Sequence, residues 1–212
     1  EIYHTLRVPR GGEYTLVLAD GTTVYLNAES ELRFPKQFRG KNRKVYLTGE
    51  GYFDVQRNEK QPFIVEAQQV EIRVLGTSFG VRAYTKEENV LTTLIQGRVN
   101  VEADGQQVEL NPGQQADYNR GNDRLTVAEV DVEQYVGWKD GRLVFDNKPL
   151  EFILEELGRW YSFDVFYTNK ELKEIPYSLN IKKHEDIAHV LKFIERTGKV
   201  KFEVNKNTII VK

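Results

Sequence analysis

The sequence predicts a mainly β protein that turns α+β in its last third, and three observations carry that prediction. Val45, Leu47, Phe53 and Val55, then Val70, Ile72 and Val74 with Glu71 and Arg73 between them, recur at every second position. That is the period of a half-buried strand. An Asp-Gly pair sits between alternating segments twice, in Ala19-Asp20-Gly21-Thr22-Thr23-Val24-Tyr25-Leu26-Asn27 and in Ala103-Asp104-Gly105-Gln106-Gln107-Val108-Glu109-Leu110-Asn111, which is a hairpin signal. Beyond residue 142 the period changes: Leu150, Ile153, Leu154, Leu157 and Trp160 form a stripe at helical spacing, followed by a strand-like Phe163, Val165 and Tyr167.

Composition narrows the class of function. The 212 residues carry 30 Lys and Arg against 32 Asp and Glu, a net charge of −2; a domain that binds nucleic acid through its phosphates shows a basic excess or stripe instead. Apolar residues at 40%, with 11 Tyr, 11 Phe and 2 Trp, suffice for a core and exclude wholesale disorder. There is no Cys, which removes disulfides and thiolate chemistry. No window approaches the roughly 18 apolar residues of a membrane span, and no signal peptide starts at Glu1. The absence of Met, including at position 1, leads us to expect a soluble piece of a longer protein.

In chain order, residues 1–12 read as a connector ending at Pro9, Gly11 and Gly12. Strands then fill an all-β domain over 13–138, in which short strand-turn units recur: Gly51, Phe53 and Val55 compare with Gly97, Val99 and Val101. Such recurrence predicts a solenoid-like or roll-like stack; an ordinary sandwich whose turns converge on Asp-Gly is the alternative. Val132, Tyr135, Val136 and Trp138 fit a short helical or irregular linker. The third region, 139–212, predicts a small α+β sandwich. Pro149 sits in a first helical turn with Asn147 as cap candidate. The helix-strand unit returns as Ile187, Val190, Leu191 and Ile194, then Val200, Phe202 and Val204. Ile175 to Ile181 is strand-like between the two copies, and a last hairpin runs through Asn205-Lys206-Asn207 to Ile209 and Val211.

The stretch Arg43 to Tyr84 resembles the central signature of the FecR family, regulators of the bacterial cell envelope. The matching pieces are LTGEGYFDV from Leu47, QPFIV from Gln61 and LGTSFGVRAY from Leu75. LADGTTVYLNAESEL from Leu18 lies upstream, and LIQGRVNV from Leu94 and LNPGQQA from Leu110 lie downstream. Gly80 departs from the family's usual Asn, and both residues tolerate a left-handed backbone. The last block resembles the secretin and TonB short N-terminal domain that follows in Bacteroidetes homologues, through Phe145, Leu154, Tyr161-Ser162-Phe163 and Thr208-Ile209-Ile210-Val211.

The resemblance implies a periplasmic, signal-receiving region of a membrane-anchored anti-sigma factor, tethered to the inner membrane. Its partner would be the N-terminal signalling domain of a TonB-dependent outer-membrane transporter. The extracytoplasmic-function sigma factor would be reached only through a cytoplasmic segment, and the membrane only through a transmembrane helix, both outside these residues. The rival class is a carbohydrate-binding or scaffolding β module of the cell surface.

The residues point away from catalysis, cofactors and metals. His184 and His189 are five apart, about 140° around a helix, whereas a zinc helix needs four. Glu50, Asp54 and Glu66 read as surface acids on alternating strands rather than a hydrolytic pair. Gly76-Thr77-Ser78-Phe79-Gly80 reads as a structural turn, with no histidine between positions 4 and 184 to serve as base. Recognition remains. Trp160, Tyr161 and Phe163 are candidate partner anchors, the alternative being that most of these aromatics pack the core or the domain junction; the closing Thr208, Ile209, Ile210 and Val211 are a candidate sheet edge open to strand addition.

Overall fold

The alternating segments form strands, since only an extended backbone puts residues i and i+2 on one face. A computed structural model describes residues 2–183 and 185–212. The chain divides into two compact units, residues 1–136 and 137–212. In the first, β1 (Tyr3–Arg7), β2 (Tyr14–Val17), β3 (Thr23–Leu26), β4 (Glu31–Pro35) and β5 (Arg43–Asp54) are followed by β6 (Phe63–Ala67), β7 (Val70–Val74), β8 (Ser78–Ala83) and β9 (Asn89–Gln96). Then come β10 (Val99–Ala103), β11 (Gln106–Leu110), β12 (Gln114–Asn119), β13 (Arg124–Glu129) and a single helical turn, α1 (Glu133–Val136).

The 12-residue β5 is shared by two groups of strands. Its first half pairs parallel with β6 and antiparallel with β4. Its second half pairs antiparallel with β3 and β8. The 13-stranded sheet therefore runs β11-β10-β7-β6-β5-β8-β9-β12-β13, with β1 joined through β4 and β2 joined through β3. Phe53 from the second half of β5 stacks on Phe79 of β8 at 5.3 Å between ring centroids and meets Phe63 of β6 at 6.2 Å. All three rings are fully buried, so the two groups of strands enclose one apolar core.

The change of partners falls at Gly49. Its φ of +94° lies where an L side chain is strained, and a Cβ there would stand 2.5 Å from Ser30 Oγ and 2.7 Å from Ser30 Cα. Both Asp-Gly pairs make hairpin turns, β2 to β3 and β10 to β11, with Gly21 at φ +87° and Gly105 at +73°.

Three expectations for this unit are corrected. Tyr3–Arg7, expected within a connector, is a strand paired along its length with Glu31–Pro35. Gly80 lies within β8 and is not left-handed; what restricts it is space, because a Cβ would stand 2.9 Å from Val136 Cγ1. The turn after Leu75 ends at Thr77, and Ser78 and Phe79 already belong to β8.

The second unit opens with a 3-10 turn (Gly137–Asp140), then β14 (Arg142–Pro149), α2 (Leu150–Tyr161), β15 (Asp164–Tyr167), β16 (Pro176–Lys182), α3 (Ile187–Glu195), β17 (Phe202–Asn205) and β18 (Thr208–Val211). β14 pairs with β16 alone, while β15, β18 and β17 form a separate three-stranded sheet. The helical stripe is buried as its spacing dictates: Leu150, Ile153, Leu154, Leu157 and Trp160 on α2, and Val190, Leu191 and Ile194 on α3. Asp186 caps α3 by accepting the Ala188 N–H at 2.9 Å. Asn147 does not cap α2. It sits at φ +49° inside an irregularity of β14, and Pro149 occupies the cap position.

Gly49→Ala combines a left-handed backbone with a steric clash against backbone, so it should cost more than about 3 kcal/mol of stability. Gly105→Ala, with equal handedness and nothing within 4 Å, should cost only about 1 kcal/mol. Urea unfolding of the two variants checks the difference.

Candidate functional site

The residues singled out as partner anchors all lie in the second unit. α2 carries Trp160 and Tyr161 in its last turn and ends on Ser162, left-handed at φ +58°. Trp160 continues the apolar stripe and Phe163 turns inward after the cap, so both are buried, at 8% and 6% exposure. The Lys183 ammonium stands over the Trp160 ring at 5.2 Å. Tyr161 is half-buried, its hydroxyl 2.8 Å from the Glu185 carbonyl and 3.2 Å from that of Lys183. Burial first, then the Glu185 and Asp186 carboxylates, push its phenol above the ordinary value. Trp160 and Phe163 therefore serve packing; on the surface of this unit the large apolar groups are Phe166, Phe193 and Val204.

The expectation that Thr208–Val211 is a sheet edge is corrected. β18 pairs parallel with β15 and antiparallel with β17, so both of its sides are taken. Ile209 and Val211 face the core. Removing this strand would dismantle the three-stranded sheet rather than trim a binding edge.

What sequence reasoning missed is a pair of buried polar clusters on β5. Glu50, read as a surface acid, is 5% exposed. Its Oε2 accepts from Asn27 Nδ2 at 2.7 Å and lies 3.5 Å from Arg82 Nη1. Arg82, 8% exposed, also grips Glu87 with Nε at 2.8 Å and Nη2 at 2.7 Å. Around them the Glu50 N–H donates to Ser30 Oγ at 2.8 Å, and the Tyr84 hydroxyl donates to the Ala28 carbonyl at 2.9 Å. At the other end of β5, Arg43 is 1% exposed. It donates to Asp20 Oδ2 at 2.7 Å and to the Gln56 and Gln61 carbonyls at 2.8 Å. Asp20 also accepts from the Thr22 hydroxyl at 2.8 Å. Each cluster ties a loop to β5: Arg43 the Asp20-Gly21 turn, and Glu50 with Arg82 the Asn27–Ser30 turn. The remaining acids differ. Asp54 is exposed against Ser78, and Glu66 pairs with Lys44 at 2.5 Å.

The described surface offers two further features of note. In the first unit a groove of about 550 Å³ is lined by Arg57, Arg73 and Arg98, but each guanidinium is met by a carboxylate, from Glu59, Glu71 and Glu109. In the second unit a groove of about 460 Å³ runs between β16 and α3. Among the described residues no three acids or histidines gather as metal ligands. His189 is exposed on α3, and His184 lies outside the described residues.

The described residues thus make a mainly β unit pinned by buried ion clusters and an α+β unit of two small sheets and two helices. A crystal structure from Parabacteroides distasonis ATCC 8503 of a protein called a "putative anti-sigma factor" superposes with a TM-score of 0.90 at 27% identity, over 99% of this chain and 98% of that one. A second crystal structure under the same description, at 2.50 Å resolution, gives the same values. No curated protein matches the chain. Residues 4–100 match the FecR protein family and residues 142–211 match the family described as FecR, C-terminal. The chain belongs to the FecR family, a family of regulators.

Arg82→Ala leaves Glu50 and Glu87 without their cation and should cost about 3–5 kcal/mol, as expected for breaking a buried pair. Thermal unfolding against Glu50→Gln, which keeps the shape and removes the charge, measures how much of that loss is uncompensated charge. In the second unit, Tyr161→Phe should cost about 1 kcal/mol at neutral pH. Because the folded phenol titrates above the unfolded value of about 10, its contribution is complete below that pH and is lost as pH rises beyond it. Stability of wild type minus Tyr161→Phe, measured by urea unfolding from pH 8 to 11, should shrink accordingly.

Proposed function

We propose that the chain is the periplasmic signal-receiving region of a membrane-anchored FecR-type anti-sigma factor, tethered to the inner membrane. Through protein–protein contact it relays a signal from a TonB-dependent outer-membrane transporter to an extracytoplasmic-function sigma factor. The observation that carries the reading is the ordered pair of family matches, 4–100 and 142–211, together with the likeness to an anti-sigma factor over 99% of the chain. Among the described residues no helix is long and apolar enough to cross a membrane.

The physical layout suits a receiver. The buried clusters on β5 hold the first unit in one arrangement, and they pair its inward-facing charges with one another. The second unit exposes Phe166, Phe193 and Val204 at 58–62%, apolar groups of the kind that partner surfaces desolvate. Signal transfer then takes the form of a population shift set by the partner's differential affinity for two arrangements of the receiver.

The test is calorimetric titration of this chain with the isolated N-terminal signalling domain of its cognate TonB-dependent transporter. The expected result is one-to-one binding with a Kd of about 10 µM or tighter. Absence of binding at ten times that concentration would overturn the assignment of this partner.

A further inference from the structure

β16 has a neighbour on one side only. Among the described residues it pairs with β14 and with no other strand. The bonds at its two ends fix which residues face which way, because alternate residues of an antiparallel strand point to opposite sides. The Ile175 carbonyl accepts from Leu150 N–H, and the Lys183 N–H donates to the Gly141 carbonyl. The odd-numbered residues therefore face β14, and Ser178 and Asn180 direct their backbone N–H and C=O groups to the open side.

The open stretch is bounded. At one end stands Pro176, which has no N–H. At the other, Lys182 is already satisfied: its carbonyl accepts from the Glu185 N–H at 3.0 Å and its own N–H donates to Glu185 Oε1 at 3.4 Å. Ser178 and Asn180 are thus the residues that offer both an N–H and a C=O on this side. Beside them runs the 460 Å³ groove, walled on the far side by α3. Phe193, 58% exposed, lines it, and so do the exposed Lys192 and Arg196, which have no acidic partner among the described residues; the one acid in the lining, Glu185, accepts from the Lys182 N–H, leaving two cations against one carboxylate.

We infer that this groove receives an extended, acidic segment of the partner protein, which adds as a strand to Ser178 and Asn180, lays an apolar side chain on Phe193 and sets its carboxylates against Lys192 and Arg196. The inference rests on the proposed receiver function and gives it a surface. Strand addition draws affinity from the backbone bonds and selectivity from the side-chain pockets. The charge identifies the occupant. A second copy of the chain would bring its own Lys192 and Arg196 to the same groove, like charge against like, whereas an acidic strand is complementary.

The experiment adds two variants to the titration with the transporter's signalling domain. Asn180→Pro deletes one outward N–H without touching the bonds to β14, a position where edge strands accept proline. Lys192→Glu/Arg196→Glu reverses the groove's charge with two exposed residues and keeps the test alive should the proline variant unfold. Amide hydrogen exchange of wild type is followed alongside. Protection of Ser178 and Asn180 on binding, with affinity reduced at least tenfold in the charge-reversed variant and in Asn180→Pro if that variant folds, supports the inference. Unchanged affinity in the charge-reversed variant overturns the groove while leaving the receiver function standing; no binding to wild type removes both. Dimerisation of the chain alone that Asn180→Pro abolishes, seen by sedimentation, would replace the acidic partner with a second copy.

Discussion

The structure of the first unit depends on one strand serving two groups of neighbours. β5 can do so because Gly49 takes a left-handed backbone against Ser30, where any side chain would collide with main chain. On either side of that glycine a buried cation is fixed to an acid. Arg43 holds Asp20 near the start of the strand, and Arg82 holds Glu50 just past the bend. Ion pairs this deep are expensive to desolvate and add little net stability over apolar residues of the same shape. What they supply is position: the two loops they hold have one place to go, since any other leaves a charge buried alone.

That constraint explains why the pieces of sequence shared with the FecR family are turns as much as strands. Asp20-Gly21 combines a hairpin turn with the carboxylate that meets Arg43. Glu50, between Gly49 and Gly51, joins the bend to the Asn27 and Arg82 side chains. Clusters of this kind define one arrangement sharply. The second unit, with its short strands and two helices, exposes Phe166 and Phe193 and leaves one side of β16 unpaired among the described residues.

The sequence made local features legible and left non-local ones hidden. Both Asp-Gly hairpins and both helical stripes were readable because their signals lie within ten or so neighbouring residues. Trp160 was legible as core by the same signal, since it follows Leu157 by three and continues the stripe. Strand neighbours are another matter. Thr208–Val211 reads like an edge because it comes last in the chain, yet it lies between β15, some forty residues earlier, and β17. Glu50 reads as a surface acid because its cation arrives 32 positions later, on β8. Tyr3–Arg7 shows no alternation because, paired on one side only, little of it is buried. The candidate surface was least visible of all: the open side of β16 follows from which strands it does not pair with, and no period records that.

If β5 is the element on which the first unit depends, its two halves cannot open separately. Native-state amide hydrogen exchange in increasing denaturant measures this directly, by comparing amides of Val45 and Leu47 before the bend with those of Gly51 and Phe53 beyond it. The account predicts that all four merge into the highest, global opening free energy of the unit. Two distinct opening energies, with the strands around β6 exchanging independently of those around β8, would contradict it.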